Sequence, residues 1–331
     1  MRNEAACGAI NPYCSGIACC CGHSRGAAAG ENSSIGYLTN APLSVISTNR
    51  DAFRQGLREL GYIEGKNIIF EWRSGEQSRE RQRAMAAELV RLKVDVIVAG
   101  GSGDIRAAKE ATSTIPIVMV NSGDAVASGF VASLARPGGN ITGLSTLRPE
   151  LMGKRLELLK EILPKLSRLA LFMGLSAGDA AQISKELDAA AGAVGVKLQP
   201  LDIQVGTDFE SAFRAALKER ADAALVRVGG PILDPQRKHV AELAVKNRLP
   251  VMYESADEVH AGGLVSYGIS DADLYRRAAT FVDKILRGRT PAELPVEQPT
   301  KFELFINLKA AKQIGLTIPP NVLVRADRVI K

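Results

Sequence analysis

From Ile35 onward the chain alternates short apolar runs with stretches of helical spacing. IGYLT, NIIFEWRS and VDVIVAGG are runs of Ile, Val and aromatic residues that close on polar residues or glycine. Between them Phe53, Leu57 and Leu60 recur at i, i+4 and i+7, as do Met85, Leu89 and Leu92, and the first series stops at Gly61. That spacing places each set on one face of a helix. Strands that are apolar throughout, alternating with helices, predict a parallel sheet covered on both faces and joined by right-handed crossovers.

A similar order returns later in the chain. LALFMG (169–174), VKLQPLDI and ADAALVRVGG are strand-like; Ile183, Leu187, Ala190 and Val194, then Phe209, Phe213 and Ala216, mark the helices between them. VDVIVAGG leads through a helix to IPIVMV, and ADAALVRVGG leads through a helix to LPVMYE. In each half an Asp opens the strand, a Gly pair closes it, and a Pro begins the strand that follows. These matched marks point to two copies of one open α/β domain rather than one large sheet.

Between the copies, RPGGN reads as a turn, ITGLS as a short strand, and Met152, Leu156, Leu159 and Leu163 as the face of the second copy's first helix. After the second copy GGLVSYGIS reads as a return strand, followed by a helix through Leu274, Ala278, Phe281 and Ile285 that ends at Arg287-Gly288. ITGLS and VSYGIS therefore join the two copies as a double hinge. The expected organisation is α/β, two similar open parallel-sheet lobes joined by a multi-strand hinge. Residues 34–142 and 268–295 form lobe 1, 146–266 form lobe 2, and 296–331 cross back to a lobe that the pattern does not assign.

Composition narrows the class. At 331 residues the chain exceeds what a single core usually serves, and 46% hydrophobic with 24% charged residues is ordinary for a globular protein. The net charge of +6 is spread along the chain with no Lys/Arg block, which argues against nucleic acid as a partner. All five cysteines lie within the first 21 residues. CCCGH matches no two-plus-two ligand spacing, so no metal site is expected there. Residues 1–33 read as a disordered leader. They lack the apolar core of an export signal, since Asn11, Pro12 and Tyr13 interrupt it.

Candidate chemistry lies where strands end, because ligands of open parallel sheets bind beyond the carboxyl ends of the strands. Those ends carry Thr39 and Asn40, then Gly100 to Asp104 with Ser102, then Asn121 to Asp124; in the second copy they carry Gly174 to Asp179, Gly229-Gly230, and Tyr253-Glu254. GGSGD satisfies neither G-x-x-x-x-G-K-S/T nor G-x-G-x-x-G. Its amides and the Ser102 hydroxyl still suit an anionic group at a helix start, where Asp104 serves either as a cap or as a ligand contact. His239 reads as a solvated helix position, and His260 lies among turn residues, with a rim contact as the lesser alternative. There is no G-x-S-x-G or H-E-x-x-H, and no catalytic constellation emerges. Binding is the expectation, with no cofactor.

AFRQGLRELGYIEGKNIIFEWR, GFVASLARPGGNITGLS, GKRLELLKEILPK, AGGLVSYGIS and QPTKFELFINLKAAKQIGL resemble segments of the substrate-binding proteins of bacterial ABC transporters, the large family that includes the tryptophan-binding type. The resemblance runs from about residue 34 to 331. It implies a type I periplasmic-binding-protein fold, a monomer whose lobes close on an amino acid or related small carboxylate, and a cognate ABC permease in the inner membrane. It implies a periplasmic location as well. By matching loops, Ser102, Asp104, Asn121 and Asp124 would serve from the first lobe, and Ser176, Asp179, Tyr253, Glu254 and Tyr267 from the second. Two features depart from the family pattern: the cysteine-rich leader, and MGLSAGDAA where an Asn-Pro-Asn run is usual. The other reading is an effector-binding regulatory module of the same fold.

Overall fold

The computed structural model describes residues 32–331 apart from 45, 147, 175–179, 205–207, 229 and 300. The expectations for Ser176, Asp179, Gly229 and the leader to residue 31 lie outside the described residues. Lobe 1 runs β1 (Ser33–Thr39), α1 (Ser47–Glu59), β2 (Ile68–Ser74), α2 (Arg79–Arg91), β3 (Val96–Ala99), α3 (Ser102–Ala111), β4 (Ile117–Met119) and β5 (Ile141–Gly143). Lobe 2 follows with α4 (Arg148–Ile162), β6 (Arg168–Met173), α5 (Ala180–Ala193), β7 (Lys197–Asp202), α6 (Phe209–Lys218), β8 (Ala223–Arg227), α7 (Gly230–Leu233), α8 (Arg237–Lys246), β9 (Val251–Tyr253), α9 (Ala256–His260) and β10 (Val265–Ile269). The chain then runs through α10 (Asp271–Leu286), β11 (Phe302–Asn307), α11 (Leu308–Ile314), α12 (Pro320–Leu323) and β12 (Arg328–Ile330).

The two sheets share one plan. The first has the order β2-β1-β3-β4-β5, and the second has β7-β6-β8-β9-β10 extended by β11 and β12. The first ten strands pair only in parallel; β11 is antiparallel to β10. The matched sequence marks have matched jobs. Asp95 accepts from the Ser34 N–H and hydroxyl at 2.7 and 2.9 Å, while Asp222 accepts from the Ser167 N–H and hydroxyl at 2.8 and 2.9 Å. The Pro116 carbonyl accepts from the Ile97 N–H and the Pro250 carbonyl from the Ala224 N–H, both at 2.8 Å. Each sheet is thus laced at its amino edge by the same Asp–Ser pair.

Why the strands lack polar alternation is plain from the packing. In β3, Val96 and Val98 enter the core on the side of α1 and α10, while Ile97 and Ala99 enter the core on the side of α2 and α3. Lobe 2 repeats the arrangement: Leu169 and Leu171 face α4 and α5, and Ala170 and Phe172 face α6 and α8. Both faces of these inner strands are buried, so Val96–Ala99 and Leu169–Phe172 are apolar throughout, while the edge strands β2 and β7 are only partly buried and carry Glu71, Arg73, Lys197 and Gln199.

The chain leaves lobe 1 after β5 and enters lobe 2 at α4; it leaves lobe 2 after β10, and α10 returns to the lobe 1 core through Leu274, Ala278, Phe281 and Ile285. A third crossing leads from Val296, in the lobe 1 core, to β11 in the lobe 2 sheet. Residues 302–330 therefore lie with lobe 2, through β11, β12 and the core residues Ala310, Ala311, Ile318 and Val322. The expected switch at residue 268 is corrected to the residues after Ile269. The full length of β10, Val265 to Ile269, pairs with β11, and cutting it at Gly268 would strip hydrogen bonds from a sheet.

Candidate functional site

Both β5 and β10 hand the chain across from their carboxyl ends, so the carboxyl edges of the two sheets are the edges beside the crossings. On lobe 1 that edge is a closed polar network. Asp104, at the third position of α3, reaches back to the Gly101 N–H at 2.9 Å and accepts from the Gln82 amide at 2.5 Å, as well as from the Asn40 backbone. Only 7% exposed, it has its carboxyl pushed up to about 7 by burial, against the pull of those three donors. Ser102 donates to the Ser122 carbonyl at 2.8 Å. Asn121 accepts from the Thr146 hydroxyl at 2.7 Å, and the Gly123 N–H donates to that same hydroxyl at 3.2 Å. The loop 121–124 is thereby tied to the first crossing. Thr39 is buried and accepts from the Ala41 N–H, while Asp124 is exposed and caps its own turn by accepting from Val126 and Ala127 N–H. Asn40 Oδ1 is buried against Gly75 with no donor among the described residues.

On lobe 2 the edge is built by register. Ala224 and Leu225 of β8 stand opposite Val251 and Met252 of β9, and Met252 and Tyr253 stand opposite Val265 and Ser266 of β10. Continuing those pairings puts Arg227, Glu254 and Tyr267 in one row across three strands. Alternation turns that row toward α4, since Leu225 and Met252 pack on the α4 side while Tyr253 packs on the other. There Arg155 of α4, whose side chain is 2% exposed, donates to Glu254 Oε1 at 2.6 Å and to the Tyr267 carbonyl at 2.7 Å. Arg227 Nε lies 3.8 Å from the same Glu254 oxygen. Gly268 lets the chain pass directly against the Glu254 carbonyl, where any Cβ would collide.

This two-lobed architecture agrees with what the chain resembles among known proteins. Residues 44–330 match the family model described as ABC transporter substrate binding protein. The chain belongs to this family. It is 25% identical over 286 residues to the tyrosine-binding protein of Clostridioides difficile, covering 86% of this chain and 81% of that one. Among solved structures, a conserved domain protein from Vibrio cholerae superposes with a TM-score of 0.82 at 28% identity, over 90% of this chain and 100% of the other. An ABC domain from Streptococcus pneumonia in complex with L-Trp shares the fold, with a TM-score of 0.82 at 24% identity over 91% and 100%. Neighbours of the type I class extend to a leucine-binding protein from Thermotoga maritima, with a TM-score of 0.55.

For a substrate-binding protein of this kind, several expected residues take unexpected places. Tyr253 is corrected: it is fully buried in the core between β9 and helices α6 and α8, because residue parity on β9 points it away from the α4 side. Asp104 caps α3 from a buried position, so its carboxylate is committed inside lobe 1. Tyr267 is half-buried with its ring against Phe302, at 6.2 Å between centroids. Ser102, Asn121 and Asp124 cluster at one rim, and Glu254 lies at the other. Sequence reasoning missed Arg155 and Arg227. Both left a signal, since Arg155 interrupts the stripe Leu151, Met152, Leu158, Leu159 on α4, and Arg227 ends the apolar run AALV of an inner strand. Among the described residues no group of His, Cys, Asp and Glu could hold a metal, and no helix is long and apolar enough to cross a membrane.

Proposed function

We propose that this chain is the extracytoplasmic solute-binding component of an ABC-type uptake transporter. It captures an amino acid or related small carboxylate between its lobes and presents the closed form to a membrane permease. The family match over residues 44–330 carries this reading. The tyrosine-binding relative supports an amino acid as cargo. Physically, a ligand that touches both carboxyl edges selects the closed arrangement, because only there does it gain both sets of contacts. Ser102, Asn121 and Asp124 serve from lobe 1 and Glu254 from lobe 2, with Thr39, Asn40 and Asp104 shaping the first rim from behind. The three crossings act as the hinge, and the ties from Thr146 to Asn121 and Gly123 pass the ligand's grip directly to the first of them.

The test is a thermal-shift screen of the protein against the proteinogenic amino acids, small carboxylates, sugars and purines, followed by small-angle scattering with any hit. A ligand at 100 times its Kd stabilises the fold by about 2.7 kcal/mol, enough to read clearly. Stabilisation by one or a few amino acids, with a smaller radius of gyration in their presence, is the expected outcome. A folded sample that no amino acid or carboxylate stabilises refutes the proposed cargo.

A further inference from the structure

We propose that two copies of this chain join their lobe 1 sheets edge to edge, β2 against β2, in an antiparallel pair centred on Trp72. The joint uses the side edge of the lobe 1 sheet rather than the carboxyl rims, and it stands whatever the cargo. A dimer of this kind takes the place of the monomer expected from the family resemblance.

The two lobes repeat one plan, so their outer strands compare residue by residue. Trp72 stands opposite Tyr37 of β1, and Pro200 stands opposite Leu171 of β6. Tyr37 and Leu171 are equivalent, because Ile35 and Leu169, two residues earlier, pair with Val96 and Ala223, which directly follow the matched Asp95 and Asp222. Trp72 and Pro200 therefore hold the same place. Main-chain bonds show which way that place faces. The Ser33 N–H donates to the Asn67 carbonyl and the Gly75 N–H to the Thr39 carbonyl. Alternate residues of β2 thus bond inward to β1, and Phe70, Trp72 and Ser74 turn their N–H and C=O outward. In β7 the Lys197 and Ile203 N–H donate inward to Ser167 and Met173, which turns Leu198, Pro200 and Asp202 outward. Lobe 2 has at its outer edge a proline, which lacks the N–H that an added strand would need. Lobe 1 has Trp72 there.

Among the described residues the remaining edges are short or continued: β5 leads into the parallel bridge from Leu144 to Glu297, and β12 is three residues long. By contrast β2 has seven residues, with neither proline nor lysine. Its Ile68 carbonyl is taken by the Gly65 N–H at 2.9 Å, so the stretch offered to a partner runs from Phe70 to Ser74. Trp72 is the midpoint. A two-fold axis there sets Phe70 opposite Ser74 of the second copy and Trp72 opposite its counterpart, each pair exchanging both main-chain bonds. The Trp72 carbonyl accepts from Arg73 Nη1 at 3.0 Å and keeps a second lone pair for the new bond.

Charge selects the same register. With the axis at Trp72, Glu71 stands opposite Arg73 of the second copy, in the type of pair whose side chains lie closest. Moving the axis by one residue sets Glu71 against Glu71, or Arg73 against Arg73. Both side chains are already fixed on that face, since Arg73 Nη2 lies 3.0 Å from Glu71 and 3.0 Å from Glu88 of α2. Two five-stranded sheets become one continuous sheet, and because β2 is used up on both sides the assembly closes as a dimer.

Sedimentation equilibrium of the full chain tests this, under reducing conditions that exclude disulfide links through the five cysteines. The expected result is the mass of two chains at about 100 μM, falling toward one chain on dilution to about 1 μM. Glu71→Arg sets like charges opposite each other, as does Arg73→Glu, so each variant alone should dimerise about tenfold more weakly. Mixing the two variants restores opposite charges at both pairs, and the mixture should recover to within about threefold of wild type. Mixing cannot repair a general loss of stability. Should a variant fail to fold, hydrogen exchange of the wild type carries the test, because the Phe70, Trp72 and Ser74 amides should exchange more slowly as concentration rises. A single-chain mass at every concentration overturns the inference. So does a dimer that survives both substitutions, a mixture that does not recover, or exchange along β2 that ignores concentration.

Discussion

The Arg155 guanidinium donates to the Glu254 carboxylate at 2.6 Å and to the Tyr267 carbonyl at 2.7 Å, joining the first helix of lobe 2 to the last two strands before the chain crosses back. One buried side chain thus braces the second crossing against the helix that follows the first. Its loss removes the short charged bond from the Glu254 carboxylate, which keeps Arg227 at 3.8 Å, and takes a donor from the Tyr267 carbonyl. Arg155→Ala should cost about 2–4 kcal/mol, below the full range for a fully buried pair because Glu254 keeps 21% of its side chain in water. Urea unfolding followed by circular dichroism measures it. A loss under about 1 kcal/mol would mean that the brace is ornamental.

The same substitution should separate two transitions. The single tryptophan, Trp72, lies in lobe 1, 4.7 Å from Tyr37 and 5.0 Å from Phe70 between ring centroids, with the Arg54 guanidinium 5.3 Å from its ring. Its emission reports lobe 1. In Arg155→Ala the circular-dichroism midpoint should fall while the Trp72 midpoint stays in place, since the damage is confined to lobe 2 and domains joined by a few crossings unfold as separate units. Midpoints that fall together would show the lobes to be one cooperative unit.

Asp104 makes stability depend on pH in an unusual sense. Its carboxyl titrates at about 7 in the folded chain and near 4 in an unfolded one, so the folded state holds a proton that the unfolded state has released. The contribution to stability is therefore complete below about pH 4 and is lost as the pH rises through 7. Between pH 5 and pH 8 this amounts to about 2–3 kcal/mol. Asp104→Asn should abolish that slope, whatever it does to the stability at a single pH. Chemical unfolding at pH 5, 6, 7 and 8 for both proteins tests it, and identical slopes would exclude Asp104 as the source.

Gly268→Ala tests the close approach at the second crossing. The new methyl would collide with the Glu254 carbonyl oxygen and stand 3.4 Å from Arg155 Nη2. Overpacking of this kind costs about 1–3 kcal/mol, and because a backbone oxygen is the obstacle the upper end is expected. A melting temperature within about 0.5 °C of wild type, on the order of a few tenths of a kcal/mol for a chain of this size, would show that the crossing yields without cost.

Much of the fold was legible because its causes are local or periodic. VDVIVAGG and ADAALVRVGG could be read as inner strands from their composition, and their Asp and Pro marks as a repeat, since each mark makes a hydrogen bond repeated in the other lobe. The site was less legible. Tyr253 and Glu254 are neighbours in sequence and both stood at a strand end, yet one is core and the other rim. Which is which depends on the parity of β9 relative to the sheet faces, and a three-residue strand with no polar alternation does not display its parity.

By itself the sequence determined the alternation of strands and helices and the doubling of the α/β unit, because hydrophobic period and turn residues act within a few positions of one another. The family was legible separately, as a resemblance carried by longer motifs such as QPTKFELFINLKAAKQIGL. Tertiary structure alone decided the rest. It placed residues 302–330 with lobe 2, since β11 finds its partner 33 to 41 positions earlier in β10. It also brought Arg155, Arg227 and Glu254 together from 99 and 27 positions apart, through strand register and one helix laid across the sheet. A charge's partner is chosen by distance in space, and that distance is set only once the sheet has formed.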